Sequence, residues 1–199
     1  ESLNYLSTPA SVVYHGVDHI RFQNTRSQDC IRPFIKHKGA PILAVVGRVR
    51  PEKGHDILTQ AVLPLIQAHP TLNIVFIGHC VKKHKNWLAE LQKKTLHKIQ
   101  YLGQRNDMPG IYQGIDILVL PSLCEGLSCT VLEAMSSGCC VITTDISDFH
   151  KIINHGKSGY LFAVGDHVTL SNQLGQLLRN PHKAKMMGEA ASRVIADGF

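Results

Sequence analysis

Short, mostly apolar, β-rich runs alternate along the chain with longer stretches in which apolar residues recur every three or four positions. The short runs are 11–14, Ile42–Val46, Asn73–Ile77, 99–102, Ile117–Leu120 and 140–143. Runs this brief, rich in Ile, Val and Leu and without polar alternation, predict strands covered on both faces. Between the second and third of these runs, 56–68 carries apolar residues at 57, 58, 61, 62, 65 and 66, one stripe of a helix. Further helices are predicted over 87–96, Met108–Gln113, 130–137, 167–178 and 183–196. Doubly covered strands joined by helices imply a parallel sheet with right-handed crossovers, a doubly wound α/β domain. Ligands in that architecture bind beyond the carboxyl ends of the strands, so the loops there are expected to carry the chemistry.

Composition narrows the setting. A chain of 199 residues suits one domain, and 44% hydrophobic with 18% charged residues is ordinary for a soluble globular protein. The apolar runs are too short to span a bilayer, and Glu1-Ser2-Leu3-Asn4 resembles no signal peptide, so a cytoplasmic location is expected. A net charge of +6 and a pI near 9.1 favour anionic partners such as phosphates, nucleic acid or an acidic membrane face. The basic residues are scattered except for Lys82-Lys83-His84-Lys85, which reads as a solvated loop. With only 6% aromatics, none interleaved with basic residues, nucleic acid is not the expected partner. The six cysteines, at 30, 80, 124, 129, 139 and 140, form no Cys-x-x-Cys and read as small buried residues in a reducing compartment. The twelve histidines show no metal-binding helix spacing, so no metal is expected.

Candidate chemistry lies in three loops. After Ile42–Val46 comes Gly47-Arg48-Val49-Arg50-Pro51-Glu52-Lys53-Gly54, leading into a helix. Glycines at both ends permit tight turning, and the helix start offers unpaired N–H groups and a positive dipole end. Arg48 supplies a planar fork and Lys53 a mobile ammonium, a pair suited to a diphosphate. The loop is neither a Walker loop nor Gly-x-Gly-x-x-Gly, which lowers the case for ATPase or NAD chemistry; a charged surface turn is the plain alternative. After Ile117–Leu120 comes Pro121-Ser122-Leu123-Cys124-Glu125-Gly126-Leu127-Ser128-Cys129, then a helix bearing Glu133. Gly126 is expected to turn the amides of Leu127, Ser128 and Cys129 towards the cleft, where they would receive phosphate or sugar oxygens. An ionised carboxylate only accepts hydrogen bonds, so Glu133 suits ribose hydroxyls and Glu125 a sugar hydroxyl. The third loop, Gly103-Gln104-Arg105-Asn106-Asp107, could hold a nucleobase through backbone groups, although Asn106 or Asp107 serves as easily as a helix cap.

Together these pieces resemble the family 4 retaining glycosyltransferases, enzymes of the GT-B fold with two Rossmann-like domains. The resemblance runs from His15-Gly16-Val17-Asp18 to the end, so that 1–199 corresponds to the family's C-terminal, nucleotide-sugar-binding domain. It rests on Gly47-Arg48…Lys53-Gly54, Pro121-Ser122, the spacing Glu125-x7-Glu133, Glu133-Ala134-Met135 and Gly156-Lys157-Ser158-Gly159. It implies retaining transfer of a hexosyl group from a nucleotide-diphosphate sugar to a saccharide or lipid-linked acceptor, without a cofactor beyond that donor. Arg48 and Lys53 would hold the diphosphate, Glu125 the donor sugar, Glu133 the ribose, and the amides of Leu127 and Ser128 would line the pocket. An N-terminal acceptor domain would lie outside this chain, and the basic pI permits peripheral contact with an anionic membrane. The chain departs from the family at Ser147-Asp148-Phe149-His150-Lys151, where a Gly-Gly turn and Pro-Glu are frequent, and at Ser128, where Pro is frequent. Other readings are a stand-alone nucleotide-sugar-binding module and an epimerase-like domain.

Overall fold

A computed structural model describes residues 16–23 and 30–199; the strand expected over 11–14 lies outside them. The expected parallel sheet is present, with six strands among the described residues: β1 (Ile42–Val46), β2 (Asn73–Ile77), β3 (Ile99–Tyr101), β4 (Ile117–Leu120), β5 (Cys140–Thr144) and β6 (Gly159–Phe162). Their order is β3-β2-β1-β4-β5-β6, every neighbouring pair parallel. The chain winds outward from β1 to β3, returns to β4 beside β1, and winds outward again the other way. The loops leaving β1 and β4 therefore diverge at the switch point, and the crevice they open is where such folds bind ligands.

Side-chain alternation divides the strands between two cores. Leu43 and Val45 of β1, with Ile74, Phe76, Ile117, Val119 and Ile142, face one layer: α2 (His55–Val62), α3 (Leu65–Ala68), α4 (Lys85–Lys94) and α8 (His167–Arg179). Ile42, Ala44 and Val46, with Val75, Ile77, Leu118 and Val141, face the other, which includes α1 (His19–Gln23), α5 (Met108–Gln113), α6 (Cys129–Ser136) and α7 (Phe149–Ile152). The last helix, α9 (Pro181–Gly198), contributes Ala184 and Met187 to the first core and Ala191 and Ile195 to the second. Gly188 makes that crossing possible, because a Cβ there would lie 2.0 Å from the Gly138 carbonyl oxygen.

Several elements differ from expectation. The helix expected over 56–68 is two, parted at Leu63 and Pro64, since proline has no N–H for the helical ladder and its ring crowds the preceding turn. The helix expected over 183–196 starts at Pro181, where the Asn180 side chain accepts from the Lys183 amide and proline at the first position costs no hydrogen bond. Strand β6 is not predicted by the apolar pattern. It is four residues long and opens on Gly159, which periodicity cannot distinguish from a loop, and its place is set by pairing with β5. Gly159 is required there by crowding: a Cβ would lie 2.7 Å from the Val141 oxygen. The preceding Gly156-Lys157-Ser158 forms the turn into that edge strand, with buried Ser158 Oγ accepting from the Asn154 amide at 2.9 Å.

His55, the first residue of α2, is fully buried between the rings of Phe76 (4.8 Å) and Trp87 (5.9 Å). Neither ring nitrogen has a hydrogen-bond partner. Burial pushes its pKa down to about 4; the nearby Arg50 backbone opposes the shift and the Lys53 charge adds to it. The unfolded chain thus binds a proton that the fold excludes. His55 favours the fold fully above its unfolded pKa, and this contribution is lost as pH falls towards 4, an effect of about 3 kcal/mol. Urea unfolding of the wild type should therefore show stability falling between pH 7 and 4, and the His55→Leu variant should fall less steeply by roughly that amount.

Candidate functional site

The loops after β1 and β4 are fastened to each other by backbone. Pro51–Lys53 forms a single 3-10 turn closed by Gly54 at φ 64°, with the Gly54 amide donating to the Pro51 oxygen at 2.9 Å. Gly54 lies against the β4 loop so closely that a Cβ would be 1.8 Å from the Pro121 oxygen. A second tie follows, the Leu123 amide donating to the Glu52 oxygen at 2.9 Å. On its other side the β1 loop is joined to the exit of β2: the Gly47 amide donates to Ile77 and the Val49 amide to His79. A Cβ on Gly78 would fall 2.0 Å from the Gly47 oxygen. The expectation that the loop's terminal glycines serve tight turning and close approach holds for Gly54; Gly47 takes φ 153°, but a Cβ on it would meet nothing within 4 Å, and the close approach there rests on Gly78.

This fastening brings Lys53 onto Glu125. The Lys53 ammonium pairs with Glu125 Oε1, which also accepts from Ser122 Oγ at 2.8 Å. The side chains are only 20% and 11% exposed, so water screens the pair weakly and losing one partner would leave the other charge poorly solvated. The surrounding loop is braced from β5. Thr143 Oγ1 donates to the Leu120 oxygen at 2.9 Å and Thr144 Oγ1 to the Ser122 oxygen at 2.8 Å. Ser147 Oγ donates to the Glu125 carbonyl oxygen. Ser147 itself takes φ 52°, so the segment keeps a left-handed turn without glycine, and Lys151 is paired with Asp148 at 2.9 Å.

One expectation about this loop is corrected. Gly126 has no positive φ, and a Cβ there would meet nothing within 4 Å, so its lack of a side chain does not set the turn. The amides of Leu127, Ser128 and Cys129 are instead set by the start of α6. Ser128 occupies the N-cap position without capping through its hydroxyl, while its carbonyl accepts from Val131 and Leu132. An N-terminus uncapped by that side chain directs its first amides and positive dipole end beyond the helix. A second correction concerns cysteine: Cys80, Cys139 and Cys140 are buried as expected, but Cys124 and Cys129 of this loop are exposed.

Glu133 lies one turn into α6, half-buried, with Oε2 accepting from the Tyr112 hydroxyl at 3.0 Å. Burial raises its pKa, against the pull of that hydrogen bond and of Arg21. Burial also raises the Tyr112 hydroxyl well above its ordinary range, with the Glu133 charge adding to it, so Tyr112 remains a proton donor near neutrality.

Gly47, Arg48, Gln104 and Arg105 are brought together around a cleft of about 440 Å³, completed by Val46, Ile77, Gly78, His79 and Met108. That volume lies within the range of small-molecule pockets. Arg48 and Gln104 are exposed. Arg105 is committed to Asp107 by two hydrogen bonds of 2.9 and 2.7 Å, and its guanidinium lies 4.6 Å from the Phe34 ring centroid. The Lys53–Glu125 pair and Glu133 are not among the residues lining this cleft. A larger cavity, about 520 Å³, opens at the other end of the sheet beside Pro41, Asp116, Gly138 and Pro181. Size alone does not favour it, because it lies at the amino ends of the strands, away from the switch-point loops. Sequence reasoning missed His79 and Tyr112. His79 could have been found as a polar residue two positions after a predicted strand; Tyr112 shows itself only through Glu133, 21 positions away. Among the described residues, no group of three or more His, Cys, Asp or Glu side chains could hold a metal ion.

Residues 27–194 match the family model of glycosyl transferases, group 1. The lipopolysaccharide core biosynthesis mannosyltransferase LpsB of Rhizobium meliloti is 28% identical over 178 residues, 81% of this chain and 48% of that protein. The C-terminal domain of a glycosyl transferase group 1 family protein from Francisella tularensis superposes with a TM-score of 0.82 at 25% identity, covering 92% of this chain and 98% of that one. Anabaena HepE, solved with UDP, superposes at 0.85 with 21% identity, covering 95% of this chain and 53% of its own. The chain spans about half the length of the curated relatives it matches.

The contact between Gly54 and Pro121 yields a direct test. Gly54→Ala adds a methyl where a carbonyl oxygen stands 1.8 Å away and where φ is 64°. It should destabilise the fold by about 2 kcal/mol or more in thermal unfolding, whereas Gly126→Ala should be nearly silent.

Proposed function

We propose, from the premise that this chain belongs to the group 1 glycosyl transferases, that it is the donor-binding domain of an enzyme transferring a hexosyl group from a nucleotide-diphosphate sugar, with retention, to a saccharide or lipid-linked acceptor. The observation that carries this reading is the fastening of Lys53 onto Glu125 at the switch point, which puts a cation and an acceptor-only carboxylate side by side at the mouth of the crevice. Arg48, on the same loop, binds the diphosphate bidentately, and the first amides of α6 receive the remaining phosphate or sugar oxygens. The nucleobase lies along Gln104 and the backbone of Arg105, whose side chain is already held by Asp107. Glu133 spends one oxygen on Tyr112 and offers the other to a ribose hydroxyl.

Transfer requires the sugar–phosphate bond to break while negative charge grows on the departing diphosphate. Lys53 and Arg48 neutralise that charge, most effectively where water is partly excluded. In this scheme the diphosphate competes with Glu125 for the Lys53 ammonium. As Lys53 turns to the phosphate it releases Glu125 to accept from a donor-sugar hydroxyl, so phosphate and sugar recognition are coupled through one lysine. The acceptor is supplied by a second domain, consistent with relatives about twice this length, and the isolated chain is expected to bind donor but transfer little. Location in the cytoplasm, on the inner membrane face or elsewhere is not needed for any of these steps.

Isothermal calorimetry with UDP-, GDP- and ADP-sugars tests the reading, with one nucleotide bound in preference to the others. In the full-length enzyme Lys53→Glu should lower donor affinity and rate together, by about a hundredfold in kcat/KM. Glu133→Gln should weaken nucleotide binding by about tenfold while sparing more of the rate. Unchanged nucleotide affinity in both variants, each shown to be folded, would rule these roles out.

A further inference from the structure

The positive charge of the chain is concentrated in one crossover. Residues 79–98, which join β2 to β3 and include α4, hold six lysines against one acidic residue, Glu90, and so account for five of the chain's six net positive charges. Burial sorts them onto one face. Leu88 and Leu91 of α4 are buried against the sheet, with Trp87 packed beside them, whereas Lys82, Lys83, Lys85, Lys93 and Lys94 are exposed. Lys98 is turned aside, donating to the Pro70 oxygen at 2.7 Å. The run Lys82-Lys83-His84-Lys85, which reads as a solvated loop in the sequence, is therefore the start of a lysine-bearing outer face rather than an isolated cluster.

An apolar side chain stands at the end of that face. Leu96, just past α4, is 79% exposed, the most exposed large apolar residue among those described. Its backbone is in the left-handed region at φ 50°, and the capping bonds explain why: the His97 amide donates to the Gln92 oxygen and the Leu96 amide to the Lys93 oxygen. This is a Schellman helix end with Leu96 in the position that glycine fills without strain. A leucine there bears a backbone strain that glycine would not, held by the two capping bonds, and leaves most of its side chain in solvent.

We propose that this face, the exposed lysines of 82–94 with Leu96 at its end, docks the domain on an anionic lipid surface. The lysines pair with acidic headgroups and Leu96 enters the boundary of the acyl region, the combination of charge and apolar insertion that peripheral membrane contact requires. A soluble polyanion would use the lysines but gains nothing from Leu96, and the face carries no stacking platform for bases. α4 packs against α2 and β3 on one face of the sheet, and the lysine-bearing face begins beside the loop after β1, where Lys83 and His84 lie close enough to Glu52 to act on its charge. The inference does not depend on the donor-binding reading.

The test is sedimentation of the 199-residue chain with phosphatidylcholine vesicles, with and without about a third phosphatidylglycerol, at low and physiological salt. Binding is expected to the anionic vesicles only and to weaken with salt. Lys93→Glu combined with Lys94→Glu should reduce partitioning by at least about tenfold, since each lysine near a charged membrane is worth about fivefold. Leu96→Gly is the discriminating variant: it relieves the strained helix end, so thermal stability should hold or rise while vesicle binding falls several-fold. Equal binding to neutral and anionic vesicles, no binding to either, or unchanged partitioning in the charge-reversed variant would overturn the proposal. If charge reversal weakens binding but Leu96→Gly does not, the face is a general polyanion surface and the lipid assignment fails.

Discussion

The contact of Gly54 with the Pro121 carbonyl holds the two switch-point loops together, and the candidate chemistry depends on it. Parallel strands diverge as they leave β1 and β4, and the loops beyond them have no sheet hydrogen bonds to fix their spacing. Here the missing Cβ of Gly54 lets one loop's backbone lie directly on the other's, and the Leu123–Glu52 hydrogen bond adds a second tie. Lys53 immediately precedes that contact and Glu125 lies shortly after Pro121, so their meeting is a geometric consequence of the backbone approach. The ion pair is then enclosed by Ser122 and by hydroxyls from β5 and the loop beyond it.

Around this fastening the site divides into three parts with different physical characters. Lys53 and Glu125 are mutually compensated and weakly hydrated. Arg48 and Gln104 are exposed on a cleft whose other guanidinium, Arg105, is already neutralised by Asp107. Half-buried Glu133 and fully buried Tyr112 form a hydrogen-bonded pair in which burial disfavours the charge on each. A ligand with a diphosphate flanked by a sugar and a nucleoside presents groups matched to these parts, which is why one molecule can be asked to satisfy all three.

Departures from the family pattern prove less disruptive locally than their residue types imply. Ser147 replaces a frequent glycine yet takes a left-handed conformation, with its hydroxyl turned to the Glu125 backbone. The basic residue Lys151 is offset by Asp148. Gly126, between the two glutamates, has no steric or conformational requirement for glycine in this fold.

The sequence by itself determined the doubly wound sheet, because four of the six described strands (β1, β2, β4 and β5) are runs that only a doubly covered sheet can bury, and it located the loops after β1 and β4 because chemistry-bearing residues follow those runs immediately. It also determined that Gly47 and Gly54 are needed for backbone reasons. Strand β6 and the break at Pro64 were less legible, the first because a four-residue strand led by glycine has no periodicity, the second because the apolar stripe continues across the proline. Which side chains meet was decided only by tertiary structure. The Lys53–Glu125 and Tyr112–Glu133 pairs join residues 72 and 21 positions apart, and no local pattern encodes such contacts. The same holds for the lysines of α4: their sign was visible in the sequence, but their gathering on one outer face, with a strained and exposed leucine at its end, arises from how that helix packs.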